Sequence, residues 1–158
     1  MRLLVLCFLA LSTLAISSCK TTGTRTAQTD APEKPTNKSL VKFIPAETLS
    51  DVLEKAEAQN KLVFVDFYAD WCLPCKMMDE DVFTDKTVAS FYNENFLNYK
   101  VNAEEKTGPN LVFVYGVQVY PTLLFLDAKG NVIEKKEGAA YQTEMLDLGR
   151  KVLASQGM

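Results

Sequence analysis

The spacing of apolar residues changes period several times along this chain. Leu49, Val52, Leu53 and Ala56 recur at i, i+3, i+4 and i+7, which predicts a helix over about Glu47 to Gln59, closed by Asn60. Leu62 to Tyr68 is a short apolar run rich in valine and aromatics, broken only by Asp66, and it reads as a buried strand. A helix follows over Cys72 to about Asp81. A second runs over Asp85 to Asn95, capped by Thr84 or Asp85, with Val88, Phe91 and Tyr92 turned inward. Phe96 to Asn102 is the next strand, Glu104 to Asn110 a polar loop, and Leu111 to Tyr115 a short helix ending at Gly116. Leu123 to Leu126 and Val132 to Glu137 flank a turn at Asp127 to Asn131, the pattern of a hairpin. A last helix covers about Gln142 to Ser155, with Met145, Leu146, Val152 and Leu153 as its buried side; Met77 and Met78 are assigned to the core. Upstream, Val41 to Ile44 adds a short strand or extended lead-in. The order β-α-β-α-α-β-α-β-β-α implies an α/β fold, a mixed central sheet with helices on both faces. The chain contains no repeats.

The first 39 residues follow a different logic. Arg2 is a positive start, and Leu3 to Ile16 is an apolar stretch too short for a comfortable transmembrane span. Ile16-Ser17-Ser18-Cys19 resembles a bacterial lipobox, which implies cleavage after Ser18 and a lipid on Cys19; an ordinary signal peptide cut nearby is the alternative. Lys20 to Ser39 has no aromatic or branched aliphatic residue, so it cannot bury enough surface to fold. It reads as a flexible tether with a reach of roughly 25 Å. Three segments result: 1–18 signal peptide, 19–39 lipidated N-terminus and tether, and 40–158 folded domain.

Processing simplifies the cysteine count. Of four cysteines, Cys7 leaves with the signal peptide and Cys19 is acylated, so Cys72 and Cys75 remain as one dithiol. The formal net charge moves from −3 to −4, because Arg2 is the only charged residue removed. That acidic balance argues against nucleic acid as a partner. The chain has no histidine, so a zinc site lacks ligands, and Lys76 stands where haem attachment needs histidine. No phosphate-cradling glycine loop is present, and no metal site is expected.

Cys72 lies between the predicted strand and the predicted helix, at a helix N-terminus. Unpaired amides and the macrodipole there favour negative charge, and the thiolate is the reactive form of cysteine. Pro74 is tolerated in a first turn because its missing N–H would be unpaired anyway. Cys75, one turn on, can reach the Cys72 sulfur. The pair reads as a dithiol that opens and closes, the alternative being an inert disulfide or two buried thiols.

At FVDFYADWCLPCK the chain resembles the thioredoxin superfamily: a strand with internal Asp66, then Trp71, Cys72-Leu73-Pro74-Cys75 and Lys76. Val117 to Thr122 carries a second likeness, with Pro121 matching the family's cis-proline. The resemblance spans about residues 45 to 154. It implies a thioredoxin-like fold, Cys72 as nucleophile and Cys75 as resolving thiol, with Asp66 as proton acceptor for Cys75 through water. Burial should raise the Asp66 pKa, unless Asp66 sits solvated at a sheet edge. Lys100 matches the lysine that pairs with that acid, although an exposed lysine is the competing reading. Trp71, Leu73, Pro74, Tyr120 and Pro121 are the implied substrate-binding residues, with Tyr68 beside them and the Tyr120 backbone facing an incoming strand. Glu80 departs from the family, which usually has a helix-kinking proline there. The run Asp79 to Asp85 looks instead like a periplasmic branch that includes the soluble C-terminal domain of the transmembrane thiol:disulfide interchange reductase.

The expected function is a lipid-anchored envelope disulfide reductase, a monomer without cofactor beyond its own Cys72–Cys75 disulfide. Its expected partners are disulfide-bearing envelope proteins, apocytochromes among them, a membrane electron donor, and the membrane itself through Cys19. A disulfide oxidase or isomerase with the same dithiol, and a non-catalytic thioredoxin-fold binding module, are the competing functions.

Overall fold

The computed structural model describes residues 38–158. The expected signal peptide, Cys19 and nearly all of the expected tether lie outside the described residues. Among those described, no helix is long and apolar enough to cross a membrane.

Four strands form the sheet: β1 (Leu62–Tyr68), β2 (Phe96–Asn102), β3 (Thr122–Leu126) and β4 (Val132–Glu137), in the order β2-β1-β3-β4. β1 pairs parallel with β2 and antiparallel with β3, and β3 pairs antiparallel with β4. β1 is thus interior, flanked on both sides, which is why its apolar run is nearly continuous. Its side chains alternate between two cores. Leu62 and Phe64 join Phe96, Leu123 and Phe125 on one face, covered by α3 (Lys86–Asn95), α5 (Gln142–Ser155) and residues Met78, Val82 and Phe83. Val63, Val65 and Phe67 join Leu97, Tyr99, Leu124 and Leu126 on the other, covered by α1 (Leu49–Gln59) and α4 (Gly108–Val114).

The helix ends explain themselves locally. Thr48 and Asp51 form a reciprocal capping box on α1, and Asn60 terminates it with a left-handed backbone. Asp85 caps α3, accepting from Thr87 N and Val88 N at 2.9 Å each. α4 begins at Gly108, inside the segment expected to be a polar loop. Pro109 occupies its first turn, and Gly108 packs so tightly that a Cβ there would lie 1.9 Å from the Asn102 carbonyl oxygen.

Of the two readings of Val41 to Ile44, the extended lead-in holds: Val41 N–H goes to Phe83 O and Lys42 N–H to the Asn93 side chain, while Ile44 N–H bonds Asn98 O of β2 at 2.8 Å beside a single bridge, Phe43 to Asn98. One expectation is corrected. Met77 is not core: it is 44% exposed, whereas Met78 is buried. Adjacent helical residues point about 100° apart, so both cannot share one buried face. α5 meets α3 at Gly149, against the Phe91 ring, and at Met145, whose carbonyl accepts from the Tyr92 hydroxyl at 2.8 Å.

Candidate active site

Two elements bring the cysteines together. β1 ends at Tyr68, and the chain turns through Ala69 to Trp71 into α2 (Leu73–Met77), with Cys72 as its N-cap. The Cys75 amide donates to Cys72 Sγ at 3.2 Å, and the two sulfurs form a disulfide. The α-helix lasts only five residues and continues as a π turn, Met78–Val82, in which Phe83 N–H reaches back to Met78 O at 2.8 Å. Glu80, at the family's proline position, lies within this turn. π turns cluster at functional sites because they re-aim side chains by widening the helix.

Cys72 and Cys75 are both buried, while Leu73 and Pro74 between them are exposed. Trp71 is 67% exposed, its indole donating to Glu104 Oε1 at 2.9 Å and its ring edge-on to Tyr120 at 6.0 Å. Tyr68 and Tyr120 pack against the cysteine cluster. The Tyr120–Pro121 peptide is cis, Pro121 is buried, and its carbonyl accepts from Gly138 N–H at 2.8 Å. Of the substrate-binding residues expected from sequence, Tyr120 thus packs against the cysteine pair and Trp71 against Tyr120, while Leu73 and Pro74 lie exposed between the cysteines.

Asp66 sits in the interior strand, 1% exposed, and not at a sheet edge. It points to the face that carries the π turn. Lys100, its register partner on β2, approaches Asp66 Oδ2 at 3.4 Å and also pairs with Asp79 of the π turn. Asp66 Oδ1 is enclosed without a hydrogen-bond partner among the described residues. Burial raises the Asp66 pKa to about 6; Lys100 opposes the rise and Asp79 adds to it. Burial pulls Lys100 down, but the two carboxylates outweigh this and leave its pKa raised. The ammonium also lies over the Tyr68 ring, 4.7 Å from its centroid.

Asp79 and Glu104 were not among the residues singled out from sequence. Asp79 had a signal, since it lies four residues beyond Cys75 and so on the same helix side. Glu104 had none: its contact with Trp71 comes from a loop 33 positions away.

A family profile described as a thioredoxin-like domain matches residues 49–153. The thiol:disulfide interchange protein DsbD of Colwellia psychrerythraea is 34% identical over 95 residues, which cover 59% of this chain but only 16% of that protein. Thioredoxin H4 of Arabidopsis thaliana is 33% identical over 106 residues, 67% of this chain and 81% of that one. Among solved structures, a Bacteroides thetaiotaomicron protein provisionally described as a disulphide-isomerase is 36% identical with a TM-score of 0.66, covering 75% of this chain and 97% of that one. The C-terminal domain of Neisseria meningitidis DsbD, oxidised, shares the fold at 24% identity and a TM-score of 0.57, over 69% of this chain and 97% of that one. The chain belongs to the thioredoxin-like disulfide oxidoreductase family, with homology to the C-terminal type of thioredoxin domain found in DsbD.

Proposed function

We propose that this protein is a cell-envelope disulfide reductase, held at the membrane by a lipid on Cys19 and receiving electrons from a membrane dithiol. The homology to DsbD, a thiol:disulfide interchange protein, supports disulfide-bearing protein substrates and a membrane partner. No cofactor other than the Cys72–Cys75 pair enters the proposed chemistry.

The Cys72 thiolate attacks one sulfur of a substrate disulfide. A mixed disulfide forms, and the second substrate cysteine leaves as thiolate. Cys75 then loses its proton toward Asp66 and attacks the Cys72 sulfur. The Cys72–Cys75 bond closes and the first substrate cysteine is released. Two electrons pass from the dithiol to the substrate, and an external dithiol restores the reduced pair. A carboxyl with a pKa near 6 is suited to accept and return that proton near neutral pH.

One observation carries the reducing direction. The backbone amide of Cys75 bonds the Cys72 sulfur, and the residues between the cysteines, Leu73 and Pro74, offer no side-chain donor or charge. A thiolate stabilised only by a helix N-terminus gains moderately, so the reduced form remains a good electron donor. Insulin reduction by dithiothreitol, followed as turbidity, tests the activity: catalytic amounts of this protein accelerate it, whereas a binding module leaves it unchanged. The second reading, an isomerase, is favoured by the description of the Bacteroides relative.

A further inference from the structure

An opening lies beside α2. It is an apolar cleft of about 240 Å³. Pro74 and Met77 of α2 and Val82 of the π turn form one wall, and Ala139 and Tyr141 before α5 form the other. Its floor, Met78 and Ala140, is buried, whereas its lips, Met77 and Tyr141, are 44% and 68% exposed. The two walls are tied together, because Gln142 Nε2 donates across to the Asp81 carbonyl at 2.9 Å. The cleft is therefore a formed feature of the fold.

We infer that this cleft is a specificity pocket for protein substrates, taking an apolar side chain near the reactive cysteine, with a neighbouring lysine or arginine placed against Asp81. This deepens the reductase reading and rests on it. Two observations select the occupant. The cleft adjoins the cysteine pair through Pro74, which forms part of its wall and is joined to Cys75. The rim is also acidic: Asp81 lines the cleft, and among the described residues no lysine or arginine nitrogen lies within ion-pair range of its carboxylate. The neighbouring acids on α5 differ, because Glu144 pairs with Lys136 and Asp147 with Arg150. An exposed methionine lip adapts to varied apolar shapes, which suits a reductase with several substrates.

Binding can be read without redox chemistry. The oxidised protein is titrated with a decapeptide whose cysteine is replaced by serine, flanked on both sides by Leu-Lys, and with a control flanked by Ser-Glu. The expected result is a shift of the Met77 methyl and Tyr141 ring NMR signals with the Leu-Lys peptide, at an affinity about tenfold or more above the control. Met77→Asp and Tyr141→Ala, both at exposed positions, should each remove that preference, and Asp81→Lys should remove the part due to lysine. Reduction of oxidised glutathione should be unchanged in all three variants. Equal binding of the two peptides, or a preference that survives Met77→Asp and Tyr141→Ala, overturns the pocket. So does concentration-dependent shifting of the same signals without peptide, which marks a second copy as the occupant. Failure to reduce glutathione disulfide or insulin, with peptide preference intact, refutes the reductase reading and not the pocket.

Discussion

Lys100 Nζ lies 3.4 Å from Asp66 Oδ2, and the same ammonium is shared with Asp79 on the π turn beyond Cys75. The buried acid of β1 is thus only half compensated, since its other oxygen has no partner among the described residues. Its pKa of about 6 stands above the unfolded carboxyl value. The folded state therefore binds more protons than the unfolded chain between about pH 4 and 6, and stability falls as pH rises through that window. Above it the penalty is constant, on the order of 2–3 kcal/mol. Asp66→Asn should raise unfolding free energy at pH 7 by about 1–3 kcal/mol and give no gain below pH 4. Denaturant unfolding at the two pH values measures this; equal stability at both rules out a desolvated carboxylate.

The same carboxyl sets a kinetic expectation. If Asp66 accepts the Cys75 proton, resolution of the mixed disulfide should accelerate as pH rises through about 6. Asp66→Asn should flatten this step. Lys100→Met removes the cation that holds the Asp66 pKa down, so the inflection should move upward. Stopped-flow release of a substrate thiol, followed against pH, reports both shifts.

The order of attack is visible on a non-reducing gel. Cys75→Ser should accumulate mixed disulfides with envelope proteins, because Cys72 still attacks and nothing resolves the product. Cys72→Ser should accumulate few. Equal trapping by the two variants would contradict the assigned roles.

The proposed lipid anchor predicts that Cys19→Ser releases the protein to the soluble fraction with its insulin-reducing activity intact, because in that reading the lipid supplies the membrane affinity. Retention of that variant on membranes after a high-salt wash would refute the lipid anchor.

Much of the site is legible in the sequence because its chemistry is local. A seven-residue apolar strand interrupted by one acid, then two cysteines three positions apart, leaves few options for Asp66, Cys72 and Cys75. The parts that escape are set by tertiary partners. Asp79 has the spacing of a residue on the Cys75 side of the helix, but its partner Lys100 comes from β2, and nothing in the spacing announces the π turn that carries it. Val41 to Ile44 has the composition of a strand, yet the Val41 and Lys42 amides are taken by Phe83 and Asn93, and only Ile44 N–H reaches β2, at Asn98 O. Apolarity alone puts Met77 in the core, while the turn of the helix puts it on the rim of a cleft. The early start of α4 follows from Gly108, whose lack of a side chain lets the helix begin against the Asn102 backbone.

The central claim is that Cys72 and Cys75 form a reducing couple because little besides a helix N-terminus stabilises the Cys72 thiolate. Equilibration with glutathione buffers measures the potential, and Trp71, the only tryptophan of the chain and adjacent to Cys72, reports it by fluorescence. The account predicts a value below about −220 mV, toward the roughly −270 mV of thioredoxin. A value above about −180 mV, where isomerases lie, would contradict it.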